Sequence, residues 1–374
     1  MTMNLHELTQ ALQIAPVMGR FHPLVPLCLP ENLAFYDDIQ TLVESLDSVE
    51  TQPEHPILIT QFEANLSHRF KTMEVLTCPS SHEINLHLPR RVNQAKQWLL
   101  THRQVANRII QDVQKRHYQA VILLLIDGLS YADVQDWPEP CEPCFIDGPS
   151  ITFSRAPNGK IDPEVGFPAI VANLARRLPS FGLPHLRGFS YWDSHENEAS
   201  DKIFNSITPE KVSSFRDVIT QLSQTDLHGM YVQIMRVGLD GLAHSRREVG
   251  QSEIQATVEA IHQDLQFLVE LLKQQSIFGA VYLMADHGIL WKHNHDLQPI
   301  TDGGREHVRY LAVPQGQIIN KPQNSTQFST AYQNFYVYHY PYYDRQIKSN
   351  DSGVHGGLSF EESIVPFIRV EVSP

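Results

Sequence analysis

Apolar positions change their spacing along the chain, and the change separates two regions. From Leu88 onward Val92, Ala95, Leu99, Val105, Ile109 and Val113 recur at helical intervals, so this stretch reads as one or two helices. The unbroken apolar run Ala120 to Ile126 follows. A strand apolar on both faces belongs in a parallel sheet covered on both sides. The arrangement recurs downstream. Ser252 is placed to cap a helix with the stripe Ile254, Val258, Ile261, Leu265, Leu268 and Leu272, and the apolar strand Gly279 to Met284 comes next. Alternating helices and apolar strands predict a doubly wound α/β domain. In such sheets ligands collect beyond the carboxyl ends of the strands.

Residues 1–90 carry a different pattern. Glu54 to Thr60 and Phe70 to Leu76 read as strands, an antiparallel pair, and helical periodicity runs from Tyr36 to Leu46. This predicts a smaller α+β region of unassigned role, followed by a main domain over 91–374. Pro- and polar-rich stretches place insertions in that domain near 179–229 and 291–352. The aromatic run Phe335 to Tyr343 lies in the second of these. It reads first as a half-buried strand and second as the lining of a substrate mouth.

The formal charge of −13 and the 42% hydrophobic content fit a soluble protein with a sizeable core. The acidic balance excludes electrostatic wrapping of nucleic acid. It leaves phosphate substrates open, because bound divalent metals invert the local field. The N-terminus has no signal-peptide pattern, and no apolar run is long enough to span a membrane. With only four cysteines, a reducing, cytoplasmic setting is expected. Cys141 and Cys144 form a lone CxxC pair and read as loop cysteines, since Cys28 and Cys78 are distant singles.

Four short motifs carry the chemistry. Asp127-Gly128 ends the first apolar strand, Asp240 to His244 follows Tyr231 to Met235, Asp286-His287-Gly288 follows Val281 to Met284, and His355-Gly356-Gly357 precedes an amphipathic tail. Each has a bland reading: a helix cap for Asp127, a structural hydrogen bond for Asp286-His287, a surface pair for Asp240 and His244. Together they supply three carboxylates and three imidazoles, the ligand inventory of a two-metal hydrolytic site. Asp240 and His244, four apart, share one face of a helical turn. Ser359 and Glu362 form a capping-box pattern that would fix where His355 points. A hydroxyl nucleophile is expected in Gly148 to Arg155, where Ser150, Thr152 and Ser154 are the candidates. Arg305, His307 and Arg309 read either as ligands for a second phosphate or a base, or as a charged strand edge.

These residues resemble the PglZ-domain proteins of the alkaline phosphatase superfamily. The resemblance covers roughly residues 115–374. It rests on the apolar strand with Asp127-Gly128, on Pro149-Ser150-Ile151-Thr152, on Asp240 to His244, on Asp286-His287-Gly288, and above all on the ending from His355 to Pro366. It implies an alkaline-phosphatase-like α/β/α sandwich with a mostly parallel central sheet. It implies two divalent ions, zinc first and manganese as the alternative, with Asp127, Thr152, Asp286 and His287 on one and Asp240, His244 and His355 on the other. Thr152 would be the nucleophile. In one departure, superfamily nucleophiles often precede Phe-Pro, and here Gly166 precedes Phe167-Pro168. If Gly166 took the nucleophile position, the enzyme would be dead.

The resemblance implies a phosphodiesterase acting on nucleotide or oligonucleotide substrates, in phage defence or signalling. A phosphomonoesterase of the same superfamily and a catalytically weak scaffold are the competing readings. A metal-independent nucleotide binder is disfavoured by the absence of a GxGxxG or Walker loop after the first strand. Residues 1–90 are the expected surface for a protein partner or a dimer.

Overall fold

A computed structural model describes residues 17–18, 24, 27, 34–36, 57–59, 79–191, 197–205, 207–245, 249–300, 308–344 and 351–373. The chain divides into two compact units, Met1–His87 and Leu88–Pro374. In the first unit, Ile57–Ile59 lies between Val17–Met18 and Ala34–Tyr36 and runs parallel to both. A strand at 57–59 agrees with the apolar pattern. Its described partners are parallel rather than antiparallel, and the predicted strand at 70–76 and helix at 37–46 lie outside the described residues.

The second unit is built on an eight-stranded sheet. Its strands are β1 (Leu100–Thr101), β2 (Ala120–Asp127), β3 (Cys141–Phe145), β4 (His185–Ser190), β5 (Glu210–Lys211), β6 (Met230–Val237), β7 (Gly279–Ala285) and β8 (Ile364–Val372). Their spatial order is β1-β3-β8-β7-β2-β6-β4-β5. Only β8 runs antiparallel to its neighbours, so the sheet is mostly parallel. Every residue of β2 and β7 is buried, as a central parallel strand requires.

Helices cover both faces. On β6, Gln233 donates to the Ile203 carbonyl of helix Asn197–Phe204, while Arg236 pairs with Asp264. Residues three apart on a strand point to opposite faces, so the two helices lie on opposite sides. The helical stripe before β2 breaks into Val92–Trp98 and α1 (Val105–Arg116). The helices used below are α2 (Gly166–Val171), α3 (Phe215–Ser223), α4 (Asp240–Ala243), α5 (Gln251–Gln274) and α6 (Phe360–Ser363). Helix α5 buries the predicted stripe, but it starts at Gln251 with Gly250 as its N-cap, so Ser252 is already helical. Among the described residues no helix is long and apolar enough to cross a membrane.

Three readings change. Residues 179–229 are not an insertion outside the sheet, because they supply β4 and β5. The first part of the aromatic run, Phe335 to Tyr338, lies in a fully buried strand, Gln333–Tyr338, at the centre of a three-stranded antiparallel sheet with Tyr310–Pro314 and Ser325–Ser329, whereas Tyr340, Tyr342 and Tyr343 beyond it are half-buried. Cys141 and Cys144 sit on β3 rather than in a loop. Their spacing of three puts them on opposite faces. Burial pushes both thiols up, Cys141 to about 12, as for inert structural cysteines.

Candidate metal centre

Sheet register assembles the first half of the site. Strands β2 and β7 are parallel neighbours with Ile126 opposite Ala285, so the next residues, Asp127 and Asp286, emerge side by side. The two turns are knitted together. The Gly128 N–H donates to Asp286 Oδ1 (3.2 Å) and the Leu129 N–H to the His287 carbonyl (2.7 Å). Asp127, Asp286 and His287 each offer a ligand atom within 4.8 Å of the others, and all three are buried. Thr152 comes from the loop between β3 and α2. Its Oγ1 lies 3.3 Å from Asp127 Oδ1 and 3.4 Å from His287 Nε2.

The second half comes from the other neighbour of β2. Asp127 is in register with Val237 of β6. Three residues later Asp240 opens α4, and His244 ends it. His355 follows the short strand Gly353–Val354, which pairs antiparallel with Leu290–Trp291, the segment just beyond His287. Asp240 Oδ1 is 3.4 Å from His244 Nε2 and 3.3 Å from His355 Nε2, and the two Nε2 atoms are 3.3 Å apart. The His287 and His355 rings stack with centroids 4.1 Å apart, so the two halves are contiguous. All seven residues expected to ligate metal are brought to one place.

The three imidazoles are oriented from outside. His287 Nδ1 lies 3.2 Å from the Gly288 carbonyl, His355 Nδ1 3.2 Å from the Ser150 carbonyl, and His244 Nδ1 3.5 Å from Asp351 Oδ1. Each Nδ1 faces an oxygen acceptor, so each Nε2 points at the cluster and would ligate once deprotonated, the arrangement found behind metal-ligating histidines. Two buried carboxylate oxygens, Asp240 Oδ1 and Asp286 Oδ2, receive no well-aligned hydrogen bond among the described residues. A buried carboxylate oxygen without a donor is costly. One such atom stands in each half, so the donor set fits two hard or borderline cations.

Charge crowding shifts the protons. Burial pushes the Asp286 carboxyl up, and the neighbouring Asp127 adds to this against the pull of His287. Burial alone would lower His287, but Asp286, Asp127 and Asp240 outweigh it and raise the imidazole to about 10. Burial opposes ionisation of Asp240, yet contacts with His244 and His355 hold it well below the usual carboxylate range. A raised imidazole carries its proton at neutral pH, and metal binding must expel it. Zinc uptake at pH 7 should therefore release at least one proton, and affinity should rise between pH 6 and 8. Calorimetry in buffers of different ionisation enthalpy reads this directly. Proton-neutral uptake at pH 7 would contradict the assignment of His287.

Of the three residues read as phosphate ligands, Arg305 and His307 lie outside the described residues. Arg309 is fully buried and forms a bidentate pair with Glu362. Its guanidinium is committed inside the fold, which corrects its reading as a substrate contact. Asp351 is the residue sequence reading missed. It sits four before His355 in a polar turn, with no periodicity or motif to mark it.

No protein-family model and no curated protein matches this sequence. Among solved structures the chain is similar to murine ectonucleotide pyrophosphatase/phosphodiesterase 5, at 13% identity and a TM-score of 0.41, over 68% of this chain and 88% of that one. The inactive form of the murine protein in complex with AMP gives 13% and 0.40, over 67% and 87%. The human protein gives 12% and 0.40, over 67% and 87%.

Proposed function

We propose that this chain is a two-metal phosphodiesterase of the PglZ kind with Thr152 as nucleophile. The observation that carries the reading is the convergence of three Nε2-presenting imidazoles, three carboxylates and one hydroxyl at the carboxyl edge of the sheet. Asp127, Asp286, His287 and Thr152 would hold one ion, and Asp240, His244 and His355 the other, zinc before manganese. When bound, the ions supply Lewis acidity that lowers the hydroxyl pKa and offsets phosphate charge.

The chain's own residues do the rest. Thr152 Oγ1 forms the new bond to phosphorus as the first alcohol departs in line and takes up the threonine proton, leaving a threonine phosphodiester that still carries the second alcohol. Water then attacks that phosphorus and returns the threonine hydroxyl. Asp351 and the Ser150 carbonyl keep His244 and His355 oriented throughout.

Two features favour diesters. Commitment of Arg309 to Glu362 removes a candidate clamp for a dianionic monoester. A cleft of about 820 Å³ opens at the same carboxyl edge of the sheet, with Val237, Ser190, Tyr191, Lys211, Asp217 and Gln221 in its walls. It begins at Val237, the register partner of Asp127, and has room for a second alcohol such as a nucleoside.

The test is hydrolysis of bis(p-nitrophenyl) phosphate and p-nitrophenyl phosphate, with zinc or manganese and after chelation. Metal-loaded protein should cleave the diester faster, and chelation should remove at least about 10²-fold of the rate. Equal rates with and without metal would sink the reading. Preference for the monoester would make it a phosphomonoesterase. Two bound ions without turnover on any ester would leave the scaffold reading.

A further inference from the structure

We propose that the buried Arg309–Glu362 pair is a positioning device that completes the second metal position by fixing the turn that carries His355. The inference rests on the metal-centre reading above. Both side chains are fully buried. Arg309 Nε reaches Glu362 Oε1 at 2.9 Å and Nη2 reaches Oε2 at 2.6 Å, while Nη1 donates to the Tyr342 carbonyl. Glu362 Oε1 also accepts the Gly357 N–H at 2.9 Å.

A relay of bonds leads from there to the imidazole. The Gly357 carbonyl accepts the Ser150 hydroxyl at 3.2 Å, and the Ser150 carbonyl faces His355 Nδ1 at 3.2 Å. The Arg309 guanidinium lies against Gly357 so closely that a Cβ there would sit 2.3–2.5 Å from Nη2, Nε and Cζ. The same Glu362 accepts the Gly288 N–H on its main-chain carbonyl at 2.9 Å, so it braces the turn after His287 as well.

This explains a departure from the expected capping box. Ser359 Oγ accepts the Glu362 N–H at 3.1 Å, but the Glu362 carboxylate turns inward to Arg309 and Gly357 instead of returning to Ser359. A buried ion pair is weak evidence for stability, because an apolar pair of similar volume often serves as well. An apolar pair cannot supply the acceptor that Gly357 needs. Arg309 and Glu362 touch neither substrate nor metal in this scheme; their side chains act through His355, and only the Glu362 main chain, which the substitutions leave in place, reaches the turn after His287.

The test compares wild type, Glu362→Gln and the volume-matched double variant Arg309→Met/Glu362→Leu. Bound zinc is counted by mass spectrometry after dialysis against buffered zinc, folding is followed by circular dichroism, and turnover is read with and without excess zinc. Wild type should hold two ions. The folded double variant should hold one tightly, with the second weakened at least tenfold, and excess zinc should restore turnover. Glu362→Gln should lie between, and it decides alone if the double variant does not fold. A general loss of stability would loosen both ions together and overturn the proposal, as would two ions held with wild-type affinity in a folded variant. A wild type that binds no zinc would overturn the metal centre itself, a distinguishable failure.

Discussion

Thr152→Ala should abolish diester turnover while leaving both metal ions in place. Removing a nucleophile from a concerted set typically costs on the order of 10³- to 10⁶-fold in kcat, and a 10⁴-fold loss corresponds to about 5.5 kcal/mol of transition-state stabilisation. The cost to folding should be small. The Thr152 hydroxyl meets Asp127 and His287 at 3.3 and 3.4 Å and also faces the Asp286 carboxylate, long contacts whose loss removes about 1 kcal/mol. Asp127, Asp286 and His287 remain to hold the first ion. Thr152→Ser keeps an oxygen in place and should retain measurable activity. Ser150 and Ser154 do not compete for the role. Both are buried; the Ser150 hydroxyl is spent on the Gly357 carbonyl and Ser154 Oγ accepts from Gln333. Acid quench of turnover on bis(p-nitrophenyl) phosphate followed by mass spectrometry should find a p-nitrophenyl phosphoryl group on Thr152. Turnover in Thr152→Ala within tenfold of wild type would move the nucleophile elsewhere.

The convergence of the candidate ligands was legible in the sequence for a physical reason. Two of its four motifs, at Asp127 and Asp286, end continuous apolar runs and a third, at Asp240, follows the mostly apolar β6, and parallel register converts that one-dimensional fact into three-dimensional neighbours, as with Ile126 opposite Ala285. Illegible features depended on partners distant in the chain. Arg309 stands in a polar stretch, which reads as exposed, but its carboxylate partner is Glu362, 53 residues away. Asp351 reaches the cluster through its contact with His244. Strand β4 was hidden because His185-Leu186-Arg187-Gly188-Phe189-Ser190 has few apolar residues, and its first three positions are not fully buried. The capping-box pattern at Ser359 and Glu362 correctly marked a helix start, yet only the packing shows that the acid serves a different donor.

Gly166→Ala should disturb the nucleophile more than any ordinary surface glycine would. Gly166 opens α2 with φ of +60°, a left-handed conformation that costs other residues about 1 kcal/mol. Crowding is the larger effect. A Cβ there would lie 2.0 Å from the Thr152 carbonyl oxygen and 2.4 Å from that of Ile151. These are backbone atoms that cannot swing aside, and the Thr152 carbonyl is also held by the Phe167 N–H at 2.9 Å. Overpacking of this kind costs about 1–3 kcal/mol, so a total near 2–4 kcal/mol is expected, lowering the melting temperature by several degrees. A displacement of about 1 Å at a reacting group can cost about 10²-fold in rate, so kcat should fall by that order even in the folded fraction. Gly182→Ala is the matched control, since Gly182 has φ of +92° but no atom within 4 Å of its added Cβ. It should lose about 1 kcal/mol and no activity. The same contact bears on Gly166 as a vacant nucleophile position. If that were its role, Gly166→Thr would gain activity. The packing predicts the reverse, with Gly166→Thr less stable than Gly166→Ala and inactive, because the glycine is the floor on which Thr152 rests.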